Sequence, residues 1–206
     1  MIYVRGNHDE KYLQFYHQFS KRIRNGEKPP RRLCQGWLGP DGQSTISKLK
    51  SRDWRLLLET PLSFQTGNLT VLHGGLSSKI HCKPKHLLDS KSFTSKRRAE
   101  IKSLMYIRKL HKDGSVPNQN ETRGLVPWQD LYDGRFGWVV YGHQPTSHVL
   151  HRGQTIGIDT ACCYGNRLTA LVQEPGSQIH WESVSARSYY ANCPSSKRLK
   201  YAATAV

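Results

Sequence analysis

Ile2-Tyr3-Val4-Arg5-Gly6-Asn7-His8-Asp9 joins an apolar triplet to a glycine and then to side chains that can ligate a metal or move a proton. A short β-branched and aromatic run that ends at Gly-Asn reads as a buried strand entering a loop. The same pattern returns twice. Asn68-Leu69-Thr70-Val71-Leu72 alternates as a strand and runs into His73-Gly74-Gly75, and Phe136-Gly137-Trp138-Val139-Val140-Tyr141 runs into Gly142-His143. Strand C-termini are where open α/β sheets build their ligand sites, so Asn7, His8, His73 and His143 become candidates for one site. Amide oxygen and neutral imidazole nitrogen both suit first-row divalent metals.

Working outward, Glu10 to Phe19 carries Tyr12, Leu13, Phe15, Tyr16 and Phe19 at near-helical spacing, which predicts a short helix. The basic run Lys21 to Arg32, with Gly26, Pro29 and Pro30, predicts an exposed loop. Ser44 to Glu59 predicts a helix broken near Ser51-Arg52-Asp53 and ended by Pro61. Beyond the second histidine lie an irregular basic stretch from Ser77 to Arg98 and a helical pattern from Ala99 to His111. Thr155-Ile156-Gly157-Ile158-Asp159 and Arg167 to Val172 read as two more strands. The class expected is α/β, with one domain over residues 1–185 and a basic, flexible tail at 186–206.

Thirty-one Lys and Arg against fifteen Asp and Glu give +16, which favours anionic partners: phosphate esters, polyphosphate or nucleic acid. With 36% hydrophobic and 22% charged residues the composition is that of a globular protein, not a disordered one. No stretch approaches the roughly 20 apolar residues of a membrane helix, and the N-terminus has no apolar signal core. The five cysteines form no CxxC pair, which argues against a disulfide framework or a zinc ribbon and for a reducing, cytoplasmic location.

Arg5-Gly6-Asn7-His8-Asp9 resembles the RGNH(E/D) motif of the calcineurin-like metallophosphoesterases. His73-Gly74-Gly75-Leu76 resembles their third motif and Gly142-His143-Gln144-Pro145 their last, in family order. One such match is weak; three in order, each after an apolar run, are specific. The segment Gly157 to Leu171 is similar to the closing strands of the diadenosine-tetraphosphatase (ApaH-like) branch. Pro145 stands at the second His of the GHxH form of the last motif, so that form is absent.

The resemblance implies a metallophosphoesterase-type β-sandwich flanked by helices. It implies Asn7, His73 and His143 as ligands of one ion of a binuclear divalent centre (Mn, Fe or Zn), His8 as the acid that protonates the leaving oxygen, and Arg108 as a phosphate contact. Asp159 could orient a ligand or brace a turn, and stays outside the candidate set. The substrate expected is a phosphorylated or polyanionic one: a dinucleoside polyphosphate, a capped RNA, polyphosphate or a phosphoprotein. The family's first two motifs, Asp-x-His and a Gly-Asp-x-x-Asp-like loop, lie upstream of GNH, where this sequence has only Met1 to Arg5. The chain is therefore read as N-terminally truncated, with weak metal binding and little hydrolysis expected. A non-catalytic basic protein that binds nucleic acid or another polyanion is the alternative; it explains the charge but leaves the three glycine-flanked histidine motifs without a purpose.

Overall fold

The computed structural model describes residues 2–27, 30–39, 42–80, 104–118, 120–174 and 176–191. Four helices come first: α1 (Asn7–Arg24), α2 (Arg31–Leu38), α3 (Gly42–Lys48) and α4 (Ser51–Glu59). The strands are β1 (Ser63–Thr66), β2 (Leu69–Leu72), β3 (Lys109–Leu110), β4 (Val126–Pro127), β5 (Trp138–Tyr141), β6 (Leu150–Arg152), β7 (Thr155–Gly157), β8 (Arg167–Val172) and β9 (His180–Ser185). A mixed five-stranded sheet has the order β1-β2-β5-β7-β6, and β3–β4 and β8–β9 form separate two-stranded pairs. Helices with a mixed sheet make the fold α/β.

In the main sheet β2, β5 and β7 run parallel, with β1 and β6 antiparallel at the edges. The central strands are short and apolar, as expected where a sheet is covered. Beneath them pack Leu72, Leu76, Ile80, Leu104, Met105, Leu110, Trp128, Val139 and Tyr141, all buried. A second cluster lies among the helices, around Phe15, Cys34, Ile46 and Trp54, with Tyr16 stacked on Trp54 at 4.6 Å between ring centroids.

Local chemistry explains the helix ends. Asp9 Oδ2 accepts the Gly6 N–H at 2.8 Å at the start of α1, and Asp53 Oδ2 accepts the Lys50 N–H at 2.8 Å at the start of α4. These carboxylates satisfy exposed donors and face the positive helix end, while Lys21, Arg22 and Arg24 occupy the last turn of α1. Arg5 joins α1 to α4: it pairs with Glu10 at 3.2 Å and donates to the Leu58 carbonyl at 3.2 Å.

Several expectations need correction. Residues 2–6 form no strand; Ile2 and Tyr3 are 57% and 50% exposed, and Arg5 N–H donates to Pro61 O at 2.7 Å just before β1. An apolar triplet becomes a strand only against a neighbour that offers a ladder, and none of the described strands flanks it. The first helix is longer than expected, and the basic stretch read as a loop contains its last turn and the start of α2. Pro30 stands at the N-cap of α2, a place where proline fits, so the prolines mark a helix start. The pattern from Ala99 to His111 is not one helix. Residues 104–106 are helical, but Lys109–Leu110 pairs antiparallel with Val126–Pro127, so tertiary pairing overrides local spacing. Residues 99–103, and the basic stretch from Lys83 to Arg98, lie outside the described residues. Of the expected tail, residues 186–191 return to Cys163, whose carbonyl accepts the Tyr190 and Ala191 N–H groups, and 192–206 lie outside the described residues.

Gly74 and Gly75 are set by close approach. A Cβ on Gly74 would stand 2.7 Å from the Met105 carbonyl carbon and 2.9 Å from Leu104 O, and one on Gly75 would stand 2.6 Å from Trp128 Nε1. Gly74→Ala is therefore expected to lower stability by about 1–3 kcal/mol, because the obstacle is backbone. Gly36→Ala, on the exposed side of α2 with nothing within 4 Å of the added carbon, is expected to be neutral or to stabilise by up to about 1 kcal/mol. Urea unfolding of both variants checks the contrast.

Candidate active site

β2 and β5 lie in register as parallel neighbours, with Leu72 opposite Tyr141. The chain leaves both strands at the same level, and the Gly142 N–H donates to His73 O at 3.0 Å. His73 and His143 consequently face each other with ring centroids 5.0 Å apart. The third candidate comes from the start of α1: Asn7 Oδ1 and His73 Nε2 are 2.8 Å apart. Gly6 permits this, because a Cβ there would press on the His73 ring at 3.0 Å. Asn7, at the start of α1, is thus brought to His73, and His73 to His143, from three separate parts of the chain.

His143 has φ of 66°, a left-handed conformation costing an L-residue about 1–2 kcal/mol. Such strain in a non-glycine residue persists where surrounding contacts enforce it, and it clusters at functional sites. Here the enforcing contacts come from residues 106–108. The Arg108 guanidinium donates to His143 O at 3.3 Å, Gln144 Nε2 donates to Ile107 O at 3.4 Å, and the Tyr106 ring meets the His143 ring edge-on at 6.3 Å. Arg108 itself is exposed, with donors left over for a ligand. His8 is exposed too, close enough for its charge to act on both His73 and His143.

Both half-buried imidazoles have their pKa lowered. Burial lowers the His143 pKa to about 4, helped by the charges of Arg108, His73 and His8 and opposed by a hydrogen bond to the Tyr106 backbone. His73 is lowered as well, chiefly by burial, with the Asp9 carboxylate opposing. A neutral imidazole is the form that binds metal.

The donor set fits a divalent ion. Two ligands at about 2.1 Å from one ion and at right angles to each other are about 3.0 Å apart, close to the Asn7–His73 separation. Among the described residues no group of three or more His, Cys, Asp and Glu gathers around one point, so the amide of Asn7 is needed to make a third donor.

Sequence reasoning missed Tyr106, whose hydroxyl donates to the Asn7 backbone carbonyl at 3.3 Å. It also gave Asp9 and Glu10 no role; one caps α1 and the other pairs with Arg5. Asp159, held outside the candidate set, lies at the end of β7 beside Gly142, whose added Cβ would be 3.9 Å from the Asp159 Cβ. Its carboxylate accepts the Ala161 N–H at 3.2 Å, and burial raises its pKa.

No family model matches the chain. It is similar to the asymmetrical bis(5'-nucleosyl)-tetraphosphatase PrpE of Oceanobacillus iheyensis, 27% identical over 173 residues, covering 82% of this chain and 60% of that protein. It is likewise similar to the PrpE of Anoxybacillus flavithermus, 24% identical over 82% of this chain and 62% of that one. The PrpE of Geobacillus thermodenitrificans is 27% identical over 86% of this chain and 68% of that one. The chain spans about three fifths of the length of most of these relatives. These similarities support a relationship to the PrpE tetraphosphatases. No helix of the described residues is long and apolar enough to cross a membrane.

The imidazole shifts fix the sign of an acid effect. The unfolded histidine binds a proton near pH 6.5, whereas folded His143 refuses it until about pH 4. Between these values the unfolded chain holds more protons, so stability rises with pH there; it is fully present above the unfolded value and lost as pH falls toward the folded one. Denaturant midpoints of the metal-free protein are expected to fall from about pH 6.5 to about pH 4, and less steeply in His143→Asn. An equal slope in His143→Asn would assign the acid sensitivity elsewhere.

Proposed function

We propose that the chain contributes a divalent-metal half-site to a phosphoesterase that hydrolyses a polyanionic phosphate substrate of the dinucleoside polyphosphate type. One observation carries this reading: Asn7 at the start of α1 meets His73, and His73 faces His143, beside an exposed imidazole and an exposed guanidinium. The name printed for the PrpE relatives, bis(5'-nucleosyl)-tetraphosphatase, supports the substrate class.

Asn7, His73 and His143 would hold the ion, and their oxygen and nitrogen donors suit Mn, Fe or Zn. When bound, such an ion polarises phosphoryl oxygens and makes a coordinated water more acidic. In the binuclear centre this site resembles, the second ion's carboxylates would have to come from outside the described residues. His8 is exposed and follows Asn7 directly, which supports its role as the group that would protonate the departing oxygen. Arg108 presents a planar fork of donors to the phosphate. The β8–β9 pair would belong to the second layer of a metallophosphoesterase-type sandwich.

Isothermal titration of the chain with Mn(II) tests the assignment. His73→Ala and His143→Ala are each expected to weaken binding more than about tenfold, and His8→Ala to leave it within about twofold. Loss of metal in His8→Ala as complete as in His73→Ala would remove His8 from the role of acid. Metal binding unaffected by any of the three substitutions, alongside tight capture of inorganic polyphosphate, would favour the polyanion-binding alternative.

A further inference from the structure

The five side chains in the candidate set leave one neighbour unused. Tyr106 is the residue that touches both ends of the site, and neither touch is accidental to its chemistry. Its phenol oxygen donates to the backbone carbonyl of Asn7 at 3.3 Å, across 99 positions of sequence. Its ring lies edge-on to the His143 imidazole, with interplanar angle 79° and centroids 6.3 Å apart. Its own backbone hydrogen-bonds His143. Two residues earlier, Leu104 O accepts the Gly74 N–H at 2.6 Å, and two residues later Arg108 donates to His143 O at 3.3 Å.

Residues 104–108 therefore touch all three segments that carry the donors: the start of α1, the turn after β2 and the turn after β5. Of these links, the Tyr106 phenol is the one that reaches the start of α1. Neither β2 nor β5 contacts Asn7 through its own ladder; beside the direct Asn7 Oδ1–His73 Nε2 contact at 2.8 Å and the bond from Arg5 N–H to Pro61 O, the approach is permitted by Gly6 and the Asn7 backbone is held by Tyr106. The phenol of a tyrosine carries its proton at neutral pH, so the hydroxyl is available as the donor.

We propose that Tyr106 is a positioning residue that sets the Asn7–His73–His143 separation, with its hydroxyl anchoring Asn7 and its ring anchoring His143. The metal arm of its test rests on the phosphoesterase reading; the geometric arm does not.

The geometric arm is nuclear Overhauser spectroscopy of the metal-free protein. Cross-peaks between the Asn7 side-chain amide protons and the His73 ring are expected in the parent, weaker in Tyr106→Phe and lost in Tyr106→Leu. Cross-peaks between β2 and β5 are expected to stay in all three. In the metal arm, Tyr106→Phe is expected to weaken Zn(II) binding about two- to tenfold, the worth of one hydrogen bond. Tyr106→Leu is expected to weaken it further. Should Tyr106→Leu fail to fold, Tyr106→Phe still decides, because it removes one oxygen and keeps the ring. Unchanged Asn7–His73 cross-peaks in Tyr106→Phe would overturn the proposal. A parent protein that binds no Zn(II) yet shows the expected change in cross-peaks would defeat the metal-site reading and leave Tyr106 as the anchor of Asn7.

Discussion

The parallel alignment of β2 with β5 is the constraint on which the site depends. Because Leu72 pairs with Tyr141, the chain leaves both strands at one level, and the bond from Gly142 to His73 O continues the ladder by one step. Two histidines that are distant in sequence then have to be neighbours. A slip in that register would separate them and turn the strands' buried faces outward. Around this pair the glycines act by what they lack: Gly6 lets the start of α1 approach the His73 ring, and Gly74 lets residues 104–105 pack against the turn after β2.

Electrostatics then divides the first motif into structural and chemical parts. Arg5 and Glu10 neutralise each other and tie α1 to α4, and Asp9 is engaged at the helix cap. Asn7 and His8 are left for other chemistry. Burial keeps the two half-buried imidazoles unprotonated, with the Arg108 charge adding to it at His143, so they present lone pairs instead of repelling a cation. The ligand-binding half of the arrangement is thus uncharged, while a chain carrying +16 overall draws anions toward it.

Much of this was legible in the sequence, for physical reasons that vary by element. β2, β5 and β7 announce themselves because short apolar runs end at or beside glycine, and the histidines at the first two strand ends stand out for the same reason; β8 shows as an apolar run that follows Gly165-Asn166. The break between α3 and α4 shows in Asp53, a capping side chain. β1, with Ser63-Phe64-Gln65-Thr66, and β6, with Leu150-His151-Arg152, are edge strands that lack a clear apolar run of their own; each closes a hairpin onto its neighbour through a two-residue turn, Gly67-Asn68 and Gly153-Gln154, and those turns are their local signal. The run of Leu104, Met105, Ile107 and Leu110 satisfies helical spacing, yet part of it closes against Val126 and Pro127. Tyr106 looked like one more apolar position in that run. Its role appears only once residues 99 positions apart meet, which no local pattern encodes.

The most direct measurement is X-ray absorption at the zinc edge of the chain loaded with one equivalent of Zn(II). If Asn7, His73 and His143 share the ion, the spectrum will require two imidazole nitrogens and at least one oxygen at about 2.0–2.2 Å, and His143→Ala will remove one imidazole while His8→Ala will remove none. A spectrum fitted by oxygen alone, or one that loses an imidazole in His8→Ala, would contradict the shared site.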